Sequence, residues 1–352
     1  MVHCPNCKRF FDDNFKFCPY CGKESLKPKI CKECGFKSYE FNFCPNCGNK
    51  LTSLKEKEEE THKTTFKYLN ELIQEGNNEI TIDSDIILTN SEAEIFSEGI
   101  PIDVDNIIIN GDGHTIDAHN QSRIFKNNAK NIIIKNIILK NGFNDYSAGA
   151  IINNGQLELI NVKLTNNIAE NGGAIHNNGS LKLTDSVLKE NSAKFGGAIH
   201  NDGKIEIIKT SLIGNTTVSD KSAVNSGGAI NNQEILIIIN STFKENSSKY
   251  GGAINNFRRL KIKNTQLMYN SAMYGGAIGN HGFLEVTASI FKENTALDSG
   301  GAVGTDGLTK LTDSLFIRNE AVHAAGAIYY GNVIKLDNCK FENNIPNDTK
   351  KR

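Results

Sequence analysis

Eight of the nine cysteines lie in the first 47 residues and form four pairs: Cys4/Cys7, Cys18/Cys21, Cys31/Cys34 and Cys44/Cys47. Their contexts are CPNC, CPYCG, CKECG and CPNCG. Two cysteines separated by two residues sit on one tight turn whose amides face the thiolates. Two such turns offer a metal ion four sulfurs at tetrahedral geometry, the arrangement zinc prefers. Ten residues separate Cys7 from Cys18 and nine separate Cys34 from Cys44, enough in each case for a short hairpin. The halves look duplicated, since Phe15 and Phe17 precede Cys18 as Phe41 and Phe43 precede Cys44. The first pair is therefore expected to join the second and the third the fourth, giving two zinc ions. A disulfide framework is the competing chemistry, but it belongs to secreted small domains. Regular CxxC spacing and a start, Met1-Val2-His3-Cys4-Pro5, without a secretory pattern speak against it. Iron in a rubredoxin-like site stays open, although the intervals are short for it.

The pattern resembles tandem zinc ribbons of the double-zinc-ribbon type over residues 1–48. Gly22, Gly35 and Gly48 close three of the turns, and Lys8 stands at the matching place in the first. Residues 1–50 hold nine Lys/Arg and five Asp/Glu, a surplus of four positive charges. Each four-thiolate zinc site carries about −2, so two of them cancel that surplus. No electrostatic footprint for nucleic acid is left. A protein-docking role is expected instead, and thiols that must stay reduced point to the cytoplasm.

The whole chain, 352 residues with 39 basic and 40 acidic side chains, is close to neutral. That balance argues against a general nucleic-acid or membrane-surface binder. Its longest apolar runs, such as Ile235–Ile239, are far shorter than the roughly 20 residues a bilayer demands. Residues 49–63 are charged and aperiodic, which predicts a linker. Residues 64–76 predict a capping helix with Phe66, Leu69, Leu72 and Ile73 on one face, Thr64 or Thr65 at its start and Gly76 at its end. A lone helix of this length is marginal in water and must pack on something.

Most of the remaining chain is a repeat. GGAI or a near variant starts at Ala148, Gly172, Gly196, Gly227, Gly251, Gly275, Gly300 and Ala325, at intervals of 24, 24, 31, 24, 24, 25 and 25 residues. Apolar columns recur three, nine, eleven and sixteen residues after each start. Two examples are Ile151/Ile175/Ile199/Ile230 and Leu164/Leu188/Leu212/Phe243. Apolar positions two apart indicate strands, and a fixed period of this length indicates a solenoid whose turns bury a core only by stacking. Two asparagine columns, Asn153 to Asn280 and Asn167 to Asn344, are expected to form amide ladders at the ~4.8 Å strand spacing, with asparagine also tolerating left-handed turns. Sequons at Asn215, Asn240 and Asn246 are expected to be unglycosylated because the ladders bury them. A charged column, Glu158, Lys182, Glu206, Ile237, Lys261, Glu285, Lys310 and Lys335, reads as a solvated stripe of cross-strand pairs. Cys339 shares a column with Thr265, Ser289 and Ser314 and is read as a small filler.

Looser turns precede the repeats, so the total is about eleven coils. Parallel crossovers are normally right-handed. The expected fold class is all-β: a right-handed parallel β-helix over residues 77–346 with an N-terminal capping helix, a polar tail at 347–352, and two small zinc ribbons in front. Residues 80–345 resemble right-handed β-helix repeats of the pectin-lyase-like class. The GGAI…FxxN repeat resembles that of polymorphic outer-membrane proteins and archaeal adhesin-like proteins. That resemblance implies a cell-surface setting as the alternative to the cytoplasm.

Three functional readings are open. Many β-helices of the resembling class are polysaccharide lyases or glycosidases, which need clustered carboxylates; Asp112, His114 and Asp117 are the best local candidates, though Gly and Asp more often make turns there. The second reading is a non-enzymatic face that binds a protein or a glycan. The column four residues after each start, Ile152, His176, His200, Asn231, Asn255, Gly279, Gly304 and Tyr329, faces outward by alternation. His176 and His200 lie one coil apart and are expected to be an exposed pair, with a shared metal as the sharper alternative. The third is a contact loop in the 31-residue repeat, within 214–226. The non-enzymatic binding scaffold is the preferred reading. The far end of the solenoid is expected to be covered by the tail, by end-to-end self-association or by a partner.

Overall fold

A computed structural model describes residues 2–4, 6–7, 9–11, 18–23, 29–38, 42–53, 64–218 and 225–352. Lys8, the aromatic residues Phe15, Phe17 and Phe41, most of the expected linker and residues 219–224 of the long repeat lie outside the described residues. The chain forms two compact units, Met1–Thr64 and Thr65–Arg352.

In the first unit Val2–His3 pairs antiparallel with Phe10–Phe11, and Lys29–Ile30 pairs antiparallel with Lys37–Ser38 and Thr52–Ser53. A cysteine turn lies between Val2–His3 and Phe10–Phe11, and another between Lys29–Ile30 and Lys37–Ser38. The strands are two residues long, too short to build a core, so the sulfur clusters take its place. Cys31, Cys44 and Leu51 are buried together, as are Cys4 and Cys18.

The second unit opens with helix α1, Phe66–Gln74. Thr65 caps it, its hydroxyl oxygen accepting from the Tyr68 amide at 3.2 Å. Glu92 reaches the same terminus, accepting from the Lys67 amide at 2.8 Å and from the Thr89 hydroxyl at 2.7 Å. A carboxylate at a helix N-terminus is favoured by the helix dipole. Phe66, Leu69 and Ile73 are buried, with Leu72 at the margin, and Phe66 meets Phe96 edge-on at 6.0 Å. The expected amphipathic face is thus the one that joins the solenoid core.

All strand pairs of this unit are parallel among the described residues. One sheet of eleven strands runs from Ile100–Ile102 to Thr349–Lys351 and contains the GGAI strands. Two further faces carry strands such as Ser180–Thr184 and Val187–Lys189. They merge where Ile132–Lys140 and Gln156–Thr165 run through the corner. Successive turns stay in register, Ile175 on Ile199 and Leu188 on Leu212. The apolar columns fill the interior as one core cluster, ending in a stack of Phe291, Phe316 and Phe341 with ring centroids 4.7 and 5.1 Å apart. Burying each such side chain contributes roughly 1.5–3 kcal/mol.

Both asparagine ladders form. Asn153 donates to Asn177 at 2.7 Å and Asn177 to Asn201 at 2.8 Å. The column extends one turn earlier to Asn127 and ends on Thr305. The second runs from Asn167 to Asn344. The left-handed corners, however, belong to other columns, with one residue of positive φ per corner: Asn161, Asp185, Lys209, Asn240 and Asn264 at one, Glu190, Glu245 and Tyr269 at the next. A ladder asparagine holds its turn by hydrogen bonds, whereas a corner needs only a residue that accepts positive φ. Asn215 and Asn246 are fully buried, but Asn240 is an exposed corner, so burial does not protect that sequon.

The GGAI glycines do different jobs. The first has positive φ, +65° at Gly196. The second lies against the next turn: a Cβ on Gly197 would stand 2.1 Å from the carbonyl oxygen of Gly228. The charged stripe pairs as expected, Lys182 with Glu158 at 2.8 Å and Lys261 with Glu285 at 2.7 Å. In the Ser/Thr column each hydroxyl donates to the carbonyl two residues back and accepts an amide from the preceding turn, as Ser289 does with Thr287 and Thr265. Cys339 keeps only a long contact to the Asp337 carbonyl.

Within 347–352, expected as a tail, Thr349–Lys351 adds the last strand beside Ile328–Tyr330. Backbone pairing does not require apolar side chains. Lys350 and Lys351 charge the exposed edge, which discourages further strand addition.

Candidate functional site

In the first unit the thiols gather into two tetrads, Cys4/Cys7/Cys18/Cys21 and Cys31/Cys34/Cys44/Cys47. Sulfur pairs lie 3.4 Å (Cys4–Cys21), 3.6 Å (Cys7–Cys18), 3.3 Å (Cys31–Cys47) and 3.4 Å (Cys34–Cys44) apart. A tetrahedron with ~2.3 Å zinc–sulfur bonds has edges of about 3.8 Å, whereas a disulfide needs about 2.05 Å. The tetrads fit zinc and not a disulfide framework, with the pairing of turns that the duplication implied.

The turns are built to present thiolates. Gly22, Gly35 and Gly48 have φ of +69°, +71° and +76°, and their amides close each turn onto the first cysteine's carbonyl at 2.8, 3.0 and 2.8 Å. Amides within the turns face sulfur: the Cys34 N–H meets Cys31, and in the first turn, without a closing glycine, Cys7 N–H meets Cys4 Sγ at 3.4 Å. The Lys23 amide draws the Cys21 thiol down to about 6, and the Cys34 amide draws Cys31 down to about 7. At Cys7 the Arg9 amide also favours thiolate, but burial and the sulfurs of Cys4, Cys18 and Cys21 outweigh it and push the thiol up to about 12. Four thiolates can coexist there only around a cation. A bound zinc ion supplies that charge and fixes the hairpins.

On the second unit the column expected to face outward does point away from the apolar core, yet much of it is buried. Asn231 and Asn255 are each 1% exposed and His200 is 9% exposed. The column is the floor of a groove. One wall carries Phe195, Ser226, Tyr250, Tyr274 and Ser299, which bridge from turn to turn. The other carries Asp202, Phe257, His281 and Asp306, each one position beyond its floor strand. Tyr250 stacks on Tyr274 (5.5 Å, 10°) and Phe257 on His281 (5.1 Å, 22°).

His176 and His200 are therefore not an exposed pair. In register on adjacent strands, their rings meet edge to face with centroids 4.9 Å apart. Both converge on Asp202, whose Oδ2 lies 2.9 Å from His176 Nε2 and 3.3 Å from His200 Nε2. His200, then burial and His176, set the balance at Asp202, which is held down to about 2. Burial lowers the pKa of His176 below the usual imidazole value, although Asp202 opposes it. The cluster is thus a carboxylate with a neutral imidazole at His176 at neutral pH.

Farther along, the column changes to Gly279 and Gly304, and the missing side chains open a cleft of about 410 Å³. Tyr274, Asp298, Asp306, His281 and Tyr329 surround it, with Asn255 at its floor. Asn255 Oδ1 is buried without a protein partner, and a Cβ on Gly279 would lie 2.6 Å from it. The charge of Asp298 raises the Tyr274 phenol above its usual value. Arg352 closes one side, 3.6 Å from Asp306. Of the residues that line the cleft, Asn255, Gly279, Gly304 and Tyr329 belong to the floor column. Tyr250 and Tyr274 carried a weaker signal, an aromatic directly before GG.

The three catalytic candidates are not gathered. His114 faces Asp85 at 3.4 Å. Asp117 is buried against Lys140 (3.2 Å), the Asn141 amide (2.9 Å) and the His119 backbone (2.9 Å). Asp112 is an exposed corner residue with φ of +48°. Of the described part of 214–226, Thr216–Thr217 pairs with Ser192–Ala193 in another sheet, and Ser226 lies in the wall, its Oγ donating to Asn231 Oδ1 at 2.9 Å.

No helix among the described residues is long and apolar enough to cross a membrane. Residues 4–51 match the double zinc ribbon family, a span that holds all eight paired cysteines. No curated protein and no solved structure matches the chain. The chain thus joins a double zinc ribbon to a parallel β-solenoid of about eleven turns, one of its sheets stacking eleven strands, a combination that fits a scaffold or binding protein.

Proposed function

We propose that the protein is a non-enzymatic, adhesin-like binding scaffold whose solenoid takes a glycan in the groove, while the zinc ribbons dock a protein partner. The cleft between Tyr274 and Asp306 carries the reading. Stacked aromatic rings offer a flat apolar face to a sugar ring, and Asp298, Asp306, His281 and Asn255 offer hydrogen-bond partners to its hydroxyls. The cleft spans the stacked turns from Tyr250 to Tyr329, a length that suits a chain of sugar units better than a compact molecule. Two four-thiolate sites support an intracellular setting, because they need reduced thiols.

Retention of the full-length protein on immobilised polysaccharides, with no release of new reducing ends, is the expected result. One observation favours a carbohydrate-active enzyme as the second reading: two carboxylates, Asp298 and Asp306, line the same cleft. Release of reducing ends that Asp298→Asn abolishes would establish the enzyme and end the scaffold reading.

A further inference from the structure

We infer that His176, His200 and Asp202 form a third metal site, separate from the ribbons, for one divalent transition ion of the zinc, copper or nickel kind. It does not depend on whether the cleft takes a glycan.

The three donor atoms lie within 4.8 Å of one another, and the two imidazole Nε2 atoms point at the same carboxylate oxygen from 2.9 and 3.3 Å. Donors around a tetrahedral ion with bonds of about 2.0–2.1 Å are separated by about 3.3 Å, so an ion enters with small side-chain shifts. Two imidazoles and one carboxylate suit late first-row ions, whereas calcium and magnesium want all-oxygen sites. Three protein ligands leave at least one position open. Asp202 is the exposed member, with 41% of its side chain accessible, so that position faces solvent.

The fold does not itself require these rings. The same column holds Ile152 one turn earlier and Asn231 and Asn255 later, all in register. His176 Nδ1 is buried without a protein partner, so that ring has no outer support. His200 has an outer support. Asn231 places its amide 3.2 Å from His200 Nδ1, and Ser226 Oγ lies 2.9 Å from the other end of that amide. Rotating the amide by half a turn keeps both bonds and turns Nδ1 into a donor. The ring's proton then sits on Nδ1, and Nε2 is a free ligand, as metal-bound histidines require. For a neutral ring this is a proton shift within the imidazole, with none released.

The test uses full-length, tag-free protein with both ribbons zinc-filled and loosely held metal removed by a weak chelator. Calorimetric titration with zinc chloride is expected to show one further equivalent. Titration with cobalt chloride is expected to give weak d–d bands without the sulfur charge-transfer bands of a thiolate site. The double variant H176N/H200N keeps residues the column already accommodates, and circular dichroism checks its fold. It is expected to lose the third equivalent, and Asp202→Asn to weaken it by about tenfold or more. No further equivalent in the wild type, or one that survives unchanged in the folded double variant, overturns the site.

Discussion

The side-chain amide of Asn246 donates to Oδ1 of Asn270 at 3.0 Å, and the backbone N–H of Asn246 donates to that same oxygen at 3.1 Å. One buried oxygen thus satisfies two donors of the turn below, and the pattern repeats from Asn167 to Asn344. Each ladder member also donates to a strand-end carbonyl, as Asn246 does to Leu212 at 2.9 Å. Asparagine is the side chain with the reach and both polarities.

Asn246→Leu leaves the backbone N–H of Asn215 and one of its two side-chain N–H groups without an acceptor. A loss of about 2–5 kcal/mol is expected from buried donors left unpaired. Asn264 donates to Asn240 at 2.8 Å in the exposed corner. Asn264→Ala there is expected to cost about 1 kcal/mol or less, because water replaces the partner. Urea unfolding of the two variants measures the difference, and equal losses would contradict a ladder that works through burial.

Gly197 and Gly214 separate crowding from backbone conformation. A Cβ at Gly197 meets the Gly228 carbonyl at 2.1 Å, so Gly197→Ala is expected to cost more than about 3 kcal/mol or to prevent folding. Gly214 has φ of +61° but only the Glu190 side chain near its Cβ, at 3.8 Å, and Glu190 and Glu245 fill the same corner in the turns on either side. Gly214→Asn is expected to shift stability by about 1 kcal/mol or less. Thermal unfolding of both, with circular dichroism as the signal, decides it.

Asp117 holds neighbouring turns together, and its ionisation governs how well it does so. Burial opposes its ionisation, but the His119 amide, the Asn141 amide and the Lys140 ammonium outweigh burial and hold its pKa below the usual carboxylate value. A carboxyl depressed in the folded state adds stability that is complete above the unfolded value, about 3.9, and is lost as pH falls through the folded one. Asp117→Asn is therefore expected to destabilise at pH 7 by about 1–3 kcal/mol. The gap to wild type is expected to narrow as the pH drops below about 4. A gap independent of pH would show that the carboxylate's charge is not what matters.

Zinc removal is expected to act on one unit only. Chelation at neutral pH should make eight thiols reactive to a thiol reagent, since all eight belong to the two tetrads. The solenoid, whose core holds no cysteine tetrad, should keep its β signal and its unfolding temperature. Loss of the solenoid on chelation would mean that the ribbons help to hold it.

The repeat was legible because each column has one physical demand. Leu188, Leu212 and Phe243 fill an interior, Asn191, Asn215 and Asn246 bond upward, and Gly197 and Gly228 clear a backbone. The cysteine tetrads were legible too, since the CxxC spacing and the duplicated halves together indicate which sulfurs meet. The groove was not. Alternation shows that Asn231 points away from the core, but only the walls that rise beside it bury it. Asp202 was hidden because its partnership with His176 crosses turns 26 residues apart and no column repeats it. The strand Thr349–Lys351 was hidden because backbone pairing on the last turn leaves no apolar pattern.

The most direct test of the binding account is a glycan array probed in parallel with the full-length zinc-loaded protein and its Tyr274→Ala variant. Tyr274 stands on the cleft wall and stacks on Tyr250, so the variant removes the ring surface while leaving the turn backbone in place. The account predicts saturable binding to a subset of glycans and at least about tenfold weaker binding by the variant, in line with the loss of an aromatic anchor. Absence of binding to every glycan, or equal binding by the two proteins, would contradict the claim that this cleft is the binding site.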